Sequence, residues 1–274
     1  MSFIKVKNVW KKFGQSIVLE QINADIEQGS FITLVGASGC GKSTFLNMLL
    51  GIEKPSQGSI TLEGQTIKAE PDGNRGIVFQ RYSVFPHLTV KDNILIAIEF
   101  SASRWMGKLF GPSRQKALKQ VEALIERVGL SHAADRYPHE LSGGMQQRLA
   151  IAQALIARPK VLLLDEPFGA LDPGIKNDMH ILVKELWIQE SLTIFMVTHD
   201  LKEAFSLGTR LWVFDKTRHD PDAPDRFGSQ ITYDLDISSQ KTSVSGRQIP
   251  KHIEQVISSK INNRVMKKAE DTHA

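Results

Sequence analysis

The stretch Gly36-Ala37-Ser38-Gly39-Cys40-Gly41-Lys42-Ser43-Thr44 decides the reading of this chain. Its pattern is G-x-x-x-x-G-K-[ST], a phosphate-binding loop. The apolar run 31–35 precedes it and predicts a buried strand; 45–50 follows and predicts the opening of a helix. Strand, glycine loop, helix is the setting this motif requires, which argues against a glycine turn that binds nothing. Three glycines let backbone N–H groups close on phosphate oxygens without side-chain clash. The helix start adds unpaired N–H groups and the positive end of its dipole. Lys42 has the reach for β- and γ-phosphates, and the Ser43 hydroxyl can hold Mg²⁺.

The bulk numbers set bounds. A length of 274 residues allows one large α/β domain plus a small subdomain or tail. The 41% hydrophobic content supports a core, and 23% charged residues argue against wholesale disorder. The single cysteine, Cys40, excludes an internal disulfide framework and suits a reducing compartment. The opening Met1-Ser2-Phe3-Ile4-Lys5-Val6 lacks a signal-peptide pattern. No apolar run approaches the roughly 18 residues that span a bilayer. A cytoplasmic chain is expected, whose membrane role would go through a partner. The net charge of +4 is uneven: residues 240–274 hold seven Lys/Arg and three Asp/Glu, so the main body is near neutral. That gives little reason to invoke nucleic acid there.

Taken in order, residues 4–9 alternate as a strand, and Trp10 and Phe13 precede a turn at Gly14. Either ring could stack on a base, or both could be core aromatics of an edge strand. Residues 17–26 read as a further strand pair. Gly51 caps the helix after the phosphate loop. A short strand follows at 59–62, and a buried one at 76–79 ends on Gln80, an amide placed to touch a metal or a water. Residues 81–90 are irregular and aromatic-rich, and 101–113 carry Trp105, Met106 and Phe110 between breakers. This second patch is either an exposed contact surface or the core of a small helical subdomain. Residues 114–128 form an amphipathic helix, closed by Gly129.

Leu141-Ser142-Gly143-Gly144-Met145-Gln146-Gln147-Arg148 then opens another helix from a Ser-Gly-Gly loop, a second candidate anion site. The all-apolar run 161–164 predicts a strand buried on both faces, delivering Asp165 and Glu166 at its C-terminal end. Two carboxylates there can divide the work: Asp165 holding Mg²⁺ through water, Glu166 polarising an attacking water. Asp172-Pro173 starts a helix as a capping residue with Pro behind it. The strand 192–198 ends at His199, which could donate to a γ-phosphate. Asp200 with Glu203 resembles a capping box. Residues 211–214 predict a strand, 219–228 a solvated loop and 231–237 a last strand. No internal repeat is present.

In order, residues 36–43, Gln80, 141–147, Asp165-Glu166, Leu171-Asp172 and His199 resemble the nucleotide-binding subunit of an ABC transporter over roughly residues 1–215. The resemblance implies a P-loop NTPase cassette of class α/β, with a RecA-like core, an antiparallel β subdomain and an inserted helical subdomain. It places the cassette at 1–237, the helical insert at about 88–158 and a basic extension at 238–274. It implies ATP and Mg²⁺ as cofactors. Gly36, Ala37, Ser38, Gly39, Cys40, Gly41, Lys42, Ser43 and Thr44 would hold the phosphates, and Phe13 the adenine. Ser43, Gln80 and Asp165 would serve the metal. Glu166 would be the base, with His199 and Gln80 completing the catalytic set. Ser142, Gly143, Gly144 and Gln146 would reach ATP on a second subunit, identical or related, with Asp172 bridging the two.

Membrane permease subunits would dock near 81–88 and 101–113, a solute-binding protein would act with them outside, and no nucleic acid is expected. The chain would then sit at the cytoplasmic face of the membrane. The run 167–172 and the length resemble importers of the nitrate/sulfonate/taurine group. The region 220–235 is similar to cassettes of urea-carboxylase-linked transporters, which would handle guanidine or related nitrogen compounds. A soluble ABC ATPase acting on nucleic acid or ribosomes is the rival; it ordinarily needs two cassettes or a long coiled coil, and neither is present. An exporter cassette is a third reading.

Overall fold

The computed structural model describes residues 2–68, 70–80, 83–102 (backbone alone at 101 and 102), 108–218, 220, 222–223 and 225–238. In chain order the first elements are β1 (Ile4–Phe13), β2 (Ser16–Ile26), β3 (Phe31–Gly36), α1 (Lys42–Leu50), β4 (Gln57–Leu62), β5 (Gln65–Thr66), β6 (Arg75–Val78) and α2 (Val90–Ala102). They continue with α3 (Gly111–Arg127), α4 (Gly143–Leu155), β7 (Val161–Asp165), α5 (Pro173–Gln189), β8 (Thr193–Val197), α6 (Leu201–Leu207), β9 (Arg210–Asp215) and β10 (Gln230–Asp236). Two compact units result. One joins the described residues up to Pro71 with those from Phe195 on; the other is Asp72–Ile194.

The first unit contains an antiparallel sheet ordered β2-β1-β4-β5. The expected strand pair at 17–26 is instead one strand, β2, running back along β1 from Phe13↔Ser16 to Ile4↔Ile26. Its polar interruption is a bulge rather than a turn. Asn8 at φ 44° takes left-handed backbone where the register slips between Val6 and Val9, and Gln21 at φ 51° does so at the next slip, between Val9↔Ile22 and Lys11↔Leu19. β3 is buried throughout and pairs parallel with β9, which pairs antiparallel with β10. Phe45 of α1 packs edge-on and tilted against Phe214 at 5.7 Å, Trp212 at 6.0 Å and Phe195 at 6.4 Å. This aromatic cluster fixes the helix that the phosphate loop opens. Burying such rings contributes about 1.5–3 kcal/mol each.

The described part of 219–228 departs from a free solvated loop. Ile17 N–H donates to Asp225 O, and Ser229 N–H to Val18 O. The cause is Glu20, a buried carboxylate that accepts from Arg218 Nη2 at 2.8 Å, Gln230 Nε2 at 3.1 Å and Gly228 N at 3.2 Å. A buried charge is retained only with such partners.

In the second unit β6 and β7 run parallel, from Arg75↔Val161 to Val78↔Leu164. A Cβ at Gly76 would lie 2.7 Å from Ala154 O, so glycine lets α4 lie close to β6. Asn93 of α2 is fully buried. Its Nδ2 donates to the carbonyls of Phe85, Leu88 and Thr89, and its Oδ1 accepts from Phe85 N–H at 2.8 Å. One amide therefore shapes the turn before α2. No helix of the described residues is long and apolar enough to cross a membrane.

Candidate functional site: the nucleotide-handling residues

The sequence sets residues with nucleotide chemistry in both units. In the first, the phosphate loop links β3 to α1, with Gly41 at the N-cap in left-handed backbone, φ 89°. A Cβ at Gly36 would fall 2.3 Å from Phe214 O, and one at Gly41 2.6 Å from Leu19 Cδ2. Only glycine fits either place, so the loop's tightness is dictated by β9 and β2. Lys42 is buried, and its Nζ donates to Gly36 O and Ala37 O, both at 2.9 Å, with Cys40 Sγ at 3.6 Å. The ammonium is folded over the loop's own carbonyls. Burial pushes the Cys40 thiol up, and the neighbouring Lys42 ammonium draws it part of the way back. Ser38, Gly39 and Ser43 are exposed, and Thr44 is half-buried.

His199 follows β8 and is exposed. The residues around it are tightly held. Thr198 is buried, its N–H donates to Leu34 O, and its hydroxyl donates to the buried Glu203 carboxylate while accepting from Asp200 N–H at 3.1 Å. Asp200 caps α6, its Oδ1 accepting from Lys202 N and Glu203 N. The capping-box expectation is thus half met. Asp200 caps as expected, but Glu203 bonds to Thr198. Thr198 and Glu203 position the histidine turn, a role not read in the sequence for Thr198 and one that differs from the cap expected of Glu203. The signal was Thr-His-Asp-x-x-Glu, a hydroxyl and a carboxylate five residues apart.

Of the two aromatics on β1, Phe13 is 48% exposed, with Lys11 Nζ 4.6 Å above its ring. Trp10 is half-buried, and its Nε1 donates to Asn8 Oδ1 at 3.1 Å. Phe13 is the ring offered to solvent.

In the second unit β7 delivers Asp165 and Glu166, both half-buried. Glu166 sits in left-handed backbone at φ 49°, a conformation that costs a carboxylate residue about 1–3 kcal/mol. Gln80 Nε2 donates to Glu166 Oε2 at 3.0 Å. The amide at the end of β6 and the carboxylate beyond β7 thus meet, as adjacent parallel strands allow. Phe168, fully buried, packs edge-on against His180 at 5.1 Å and anchors the turn after Glu166. Asp172 occupies the N-cap of α5, but its side chain makes no capping hydrogen bond.

Ser142 caps α4, its hydroxyl accepting from Met145 N–H at 3.4 Å, and Gly143 begins the helix. A Cβ at Gly144 would lie 2.6 Å from Ile175 Cγ2, so the close packing of α4 on α5 favours glycine there. Gln146 Nε2 donates to Pro138 O at 2.8 Å and fastens the loop before the helix. Gln147 is fully buried, and its amide has no hydrogen-bond partner among the described residues. Of the expected docking segments, Arg81, Tyr82 and residues 103–107 with Trp105 and Met106 lie outside the described residues, as does the extension from 239 on. Phe85 and Phe110 are exposed.

The residues fit the expected cofactors chemically. The loop leaves no room for a side chain at Gly36 or Gly41, and an ammonium is held within it. The hydroxyl of Ser43, amide of Gln80 and carboxylate of Asp165 are hard oxygen donors of the kind that serve Mg²⁺ beside phosphates.

A family model described as ABC transporter matches residues 19–169, and the chain belongs to this family. It is similar to a bicarbonate transport ATP-binding protein of Synechocystis sp., 46% identical over 76% of this chain and 31% of the relative. A nitrate import ATP-binding protein of the same organism is 46% identical over 77% of this chain and 31% of that protein. The chain thus spans about a third of the length of these curated relatives. A dimeric ATP-binding cassette bound to ADP and phosphate in a post-hydrolysis state superposes with a TM-score of 0.67 at 29% identity, covering 85% of this chain and 98% of that one. The fold is the α/β P-loop cassette that the motifs imply.

Proposed function

We propose that the chain is the ATP-binding, ATP-hydrolysing subunit that energises an importer of a small solute. Support comes from the family, from relatives named for import, and from the local chemistry of both units. The observation that carries the reading is the Gln80–Glu166 hydrogen bond, with Glu166 held in an unfavourable backbone conformation at a strand end. Lys42 and the loop N–H groups bind the phosphates. Ser43 and Asp165 orient Mg²⁺, which neutralises phosphate charge when bound. Glu166 takes the proton of the attacking water, Gln80 aligns that water, and His199 donates to the γ-phosphate. Phe13 stacks on adenine.

Ser142, Gly143, Gly144 and Gln146 serve ATP held by a second copy or a related subunit, and Asp172 bridges the pair. Closure is favoured by contacts made only in the ATP-bound dimer. The motion passes to permease subunits through the segments at 81–88 and 101–113, at the cytoplasmic face of the membrane, with a solute-binding protein delivering cargo. The cassette occupies 1–237 with its helical insert at about 88–158, and 238–274 is an extension. Selection of the solute is assigned to the other subunits, a reading that fits equal identity to relatives named for bicarbonate and for nitrate; a guanidine-type nitrogen compound is one cargo to test.

Glu166→Gln should slow ATP hydrolysis by roughly 10²–10⁴-fold, the size expected for loss of a general base, while Mg-ATP still binds and drives dimerisation. Turnover within a few-fold of the unsubstituted protein would remove Glu166 from the role. Ser142→Arg should keep nucleotide binding and lose the ATP-dependent dimer; an undiminished dimer would overturn the cross-subunit assignment.

A further inference from the structure

Within the unit Asp72–Ile194, α3, the C-terminal end of α4 and the residue after α5 border a cleft of about 500 Å³. Its charged lining is Lys116, Lys119, Arg127, Arg158 and Glu190, an excess of three positive charges. Leu124, Leu155 and Ile156 supply an apolar wall. Glu190 already shows what the cleft takes: its carboxylate lies 2.7 Å from Arg127 Nη1, and Arg127 is steadied further by Gln189 Oε1 at 3.3 Å. Among the described residues no side-chain hydrogen bond or ion pair engages Lys116, Lys119 or Arg158.

One explanation internal to the chain falls short. Cations after helix C-termini offset the helix dipole, which accounts for Arg127 and Arg158. It does not account for Lys116 and Lys119, which precede the last turn of α3. Arg158 is also held in left-handed backbone, φ 53°, at the end of α4 where glycine is the ordinary occupant.

We propose that this cleft binds a small organic polyanion carrying at least two phosphate or carboxylate groups on a partly apolar skeleton. The volume suits a metabolite of that size, for which pockets run from about 300 to 1,000 Å³. One anionic group meets Lys116 and Lys119, another meets Arg158, and the skeleton lies on Leu124, Leu155 and Ile156. The site is not the nucleotide site. None of its residues belongs to that set, and the length of α4 separates Leu155 from Ser142 by about 20 Å at 1.5 Å per residue. A ligand there lies at the far end of the helix that carries the Ser-Gly-Gly loop.

The test is calorimetric titration of the full chain, with the phosphate loop saturated by Mg-ADP, at low salt. Fructose 1,6-bisphosphate probes the phosphate source, citrate the carboxylate source, and a deca-glutamate peptide the possibility of an acidic protein segment. One of the two small anions should bind at one per chain with a Kd below about 1 mM, weakening as salt screens the charges. Arg158→Gly suits the left-handed backbone, so its melting temperature should hold or rise. Both it and Lys119→Gln should weaken binding about tenfold or more, as expected for a lost charge-assisted hydrogen bond. The proposal fails if neither small anion binds at concentrations up to about 5 mM, with 1 mM as the affinity floor. It fails equally if both variants bind as tightly as the parent, or if the peptide binds more tightly than both small anions.

Discussion

Replacing Gly144 by alanine would set a methyl group 2.6 Å from Ile175 Cγ2, about 1 Å inside ordinary contact. Either α4 lifts from α5 or Ile175 leaves its rotamer, and such overpacking costs about 1–3 kcal/mol. Against this, alanine is favoured over glycine in a helix by up to about 1 kcal/mol, and by less at the second residue of α4. The net loss should therefore be about 0–3 kcal/mol, with a melting-temperature drop of at most about 12 °C, at 2–4 °C per kcal/mol for a chain of this size. Ile175→Ala removes the colliding atom. Ile175 is only half-buried, so that change alone should cost about 1–2 kcal/mol, below the range for a fully buried isoleucine. The decisive quantity is the coupling. In a urea-unfolding double-mutant cycle, the double variant should be more stable than the sum of the singles by about 1–3 kcal/mol. ATPase activity should follow, falling in Gly144→Ala and partly recovering in the double variant, because α4 carries Ser142. Additivity within about 0.5 kcal/mol would refute the packing account and leave phosphate approach as the reason for the glycine.

Cys40 should alkylate slowly at neutral pH, because burial holds its thiol above the ordinary range and little thiolate is present. The rate should climb about tenfold per pH unit between pH 7 and 9, and Mg-ATP should suppress it; labelling faster than free glutathione at pH 7.5 would contradict the buried setting. Asp234 accepts from Arg210 Nε at 2.6 Å, from Arg210 Nη2 and from the indole N–H of fully buried Trp212 at 2.9 Å. Asp234→Ala should cost about 2–3 kcal/mol by leaving that indole N–H unsatisfied. Arg210→Lys, which loses the two-pronged bond and the Nη1 bond to Asp25 O at 2.6 Å but leaves the Asp234 carboxylate to the indole, should cost less; a loss as large as that of Asp234→Ala would show that the indole bond does not matter. The Arg226 guanidinium holds the Asp220 carboxyl below its usual range. The stabilisation is therefore present above the ordinary carboxyl pKa and lost as pH falls through the depressed one. Arg226→Ala should move the Asp220 NMR titration upward, and an unmoved titration would remove the pair.

What the sequence reveals here follows the range of the interaction. The phosphate loop, Asp165-Glu166, Ser142 and His199 are legible because each motif is a short run of residue types around a strand end or helix start. The physics of such places is local. Asn93, Glu20 and Thr198 are not legible in that way. Glu20 is identified only when Arg218 and Gln230, some two hundred positions on, are brought to it; a lone glutamate within an alternating strand looks like any solvated one. The bulges at Asn8 and Gln21 misled for a related reason, since a polar interruption reads the same whether the chain turns or slips one residue. Phe45 looks like ordinary helix core until Phe195, Trp212 and Phe214 surround it and make it the anchor of the phosphate loop. The glycines teach the converse. Gly36, Gly41 and Gly144 were read as making way for phosphate, yet a side chain at each would first strike Phe214, Leu19 or Ile175 of this same chain. These positions are therefore constrained by packing before any ligand arrives. A glycine motif can persist for the fold's sake, so the chemical assignment of such a site must rest on its non-glycine members. Here those are Lys42 bound over its loop and Glu166 held by Gln80.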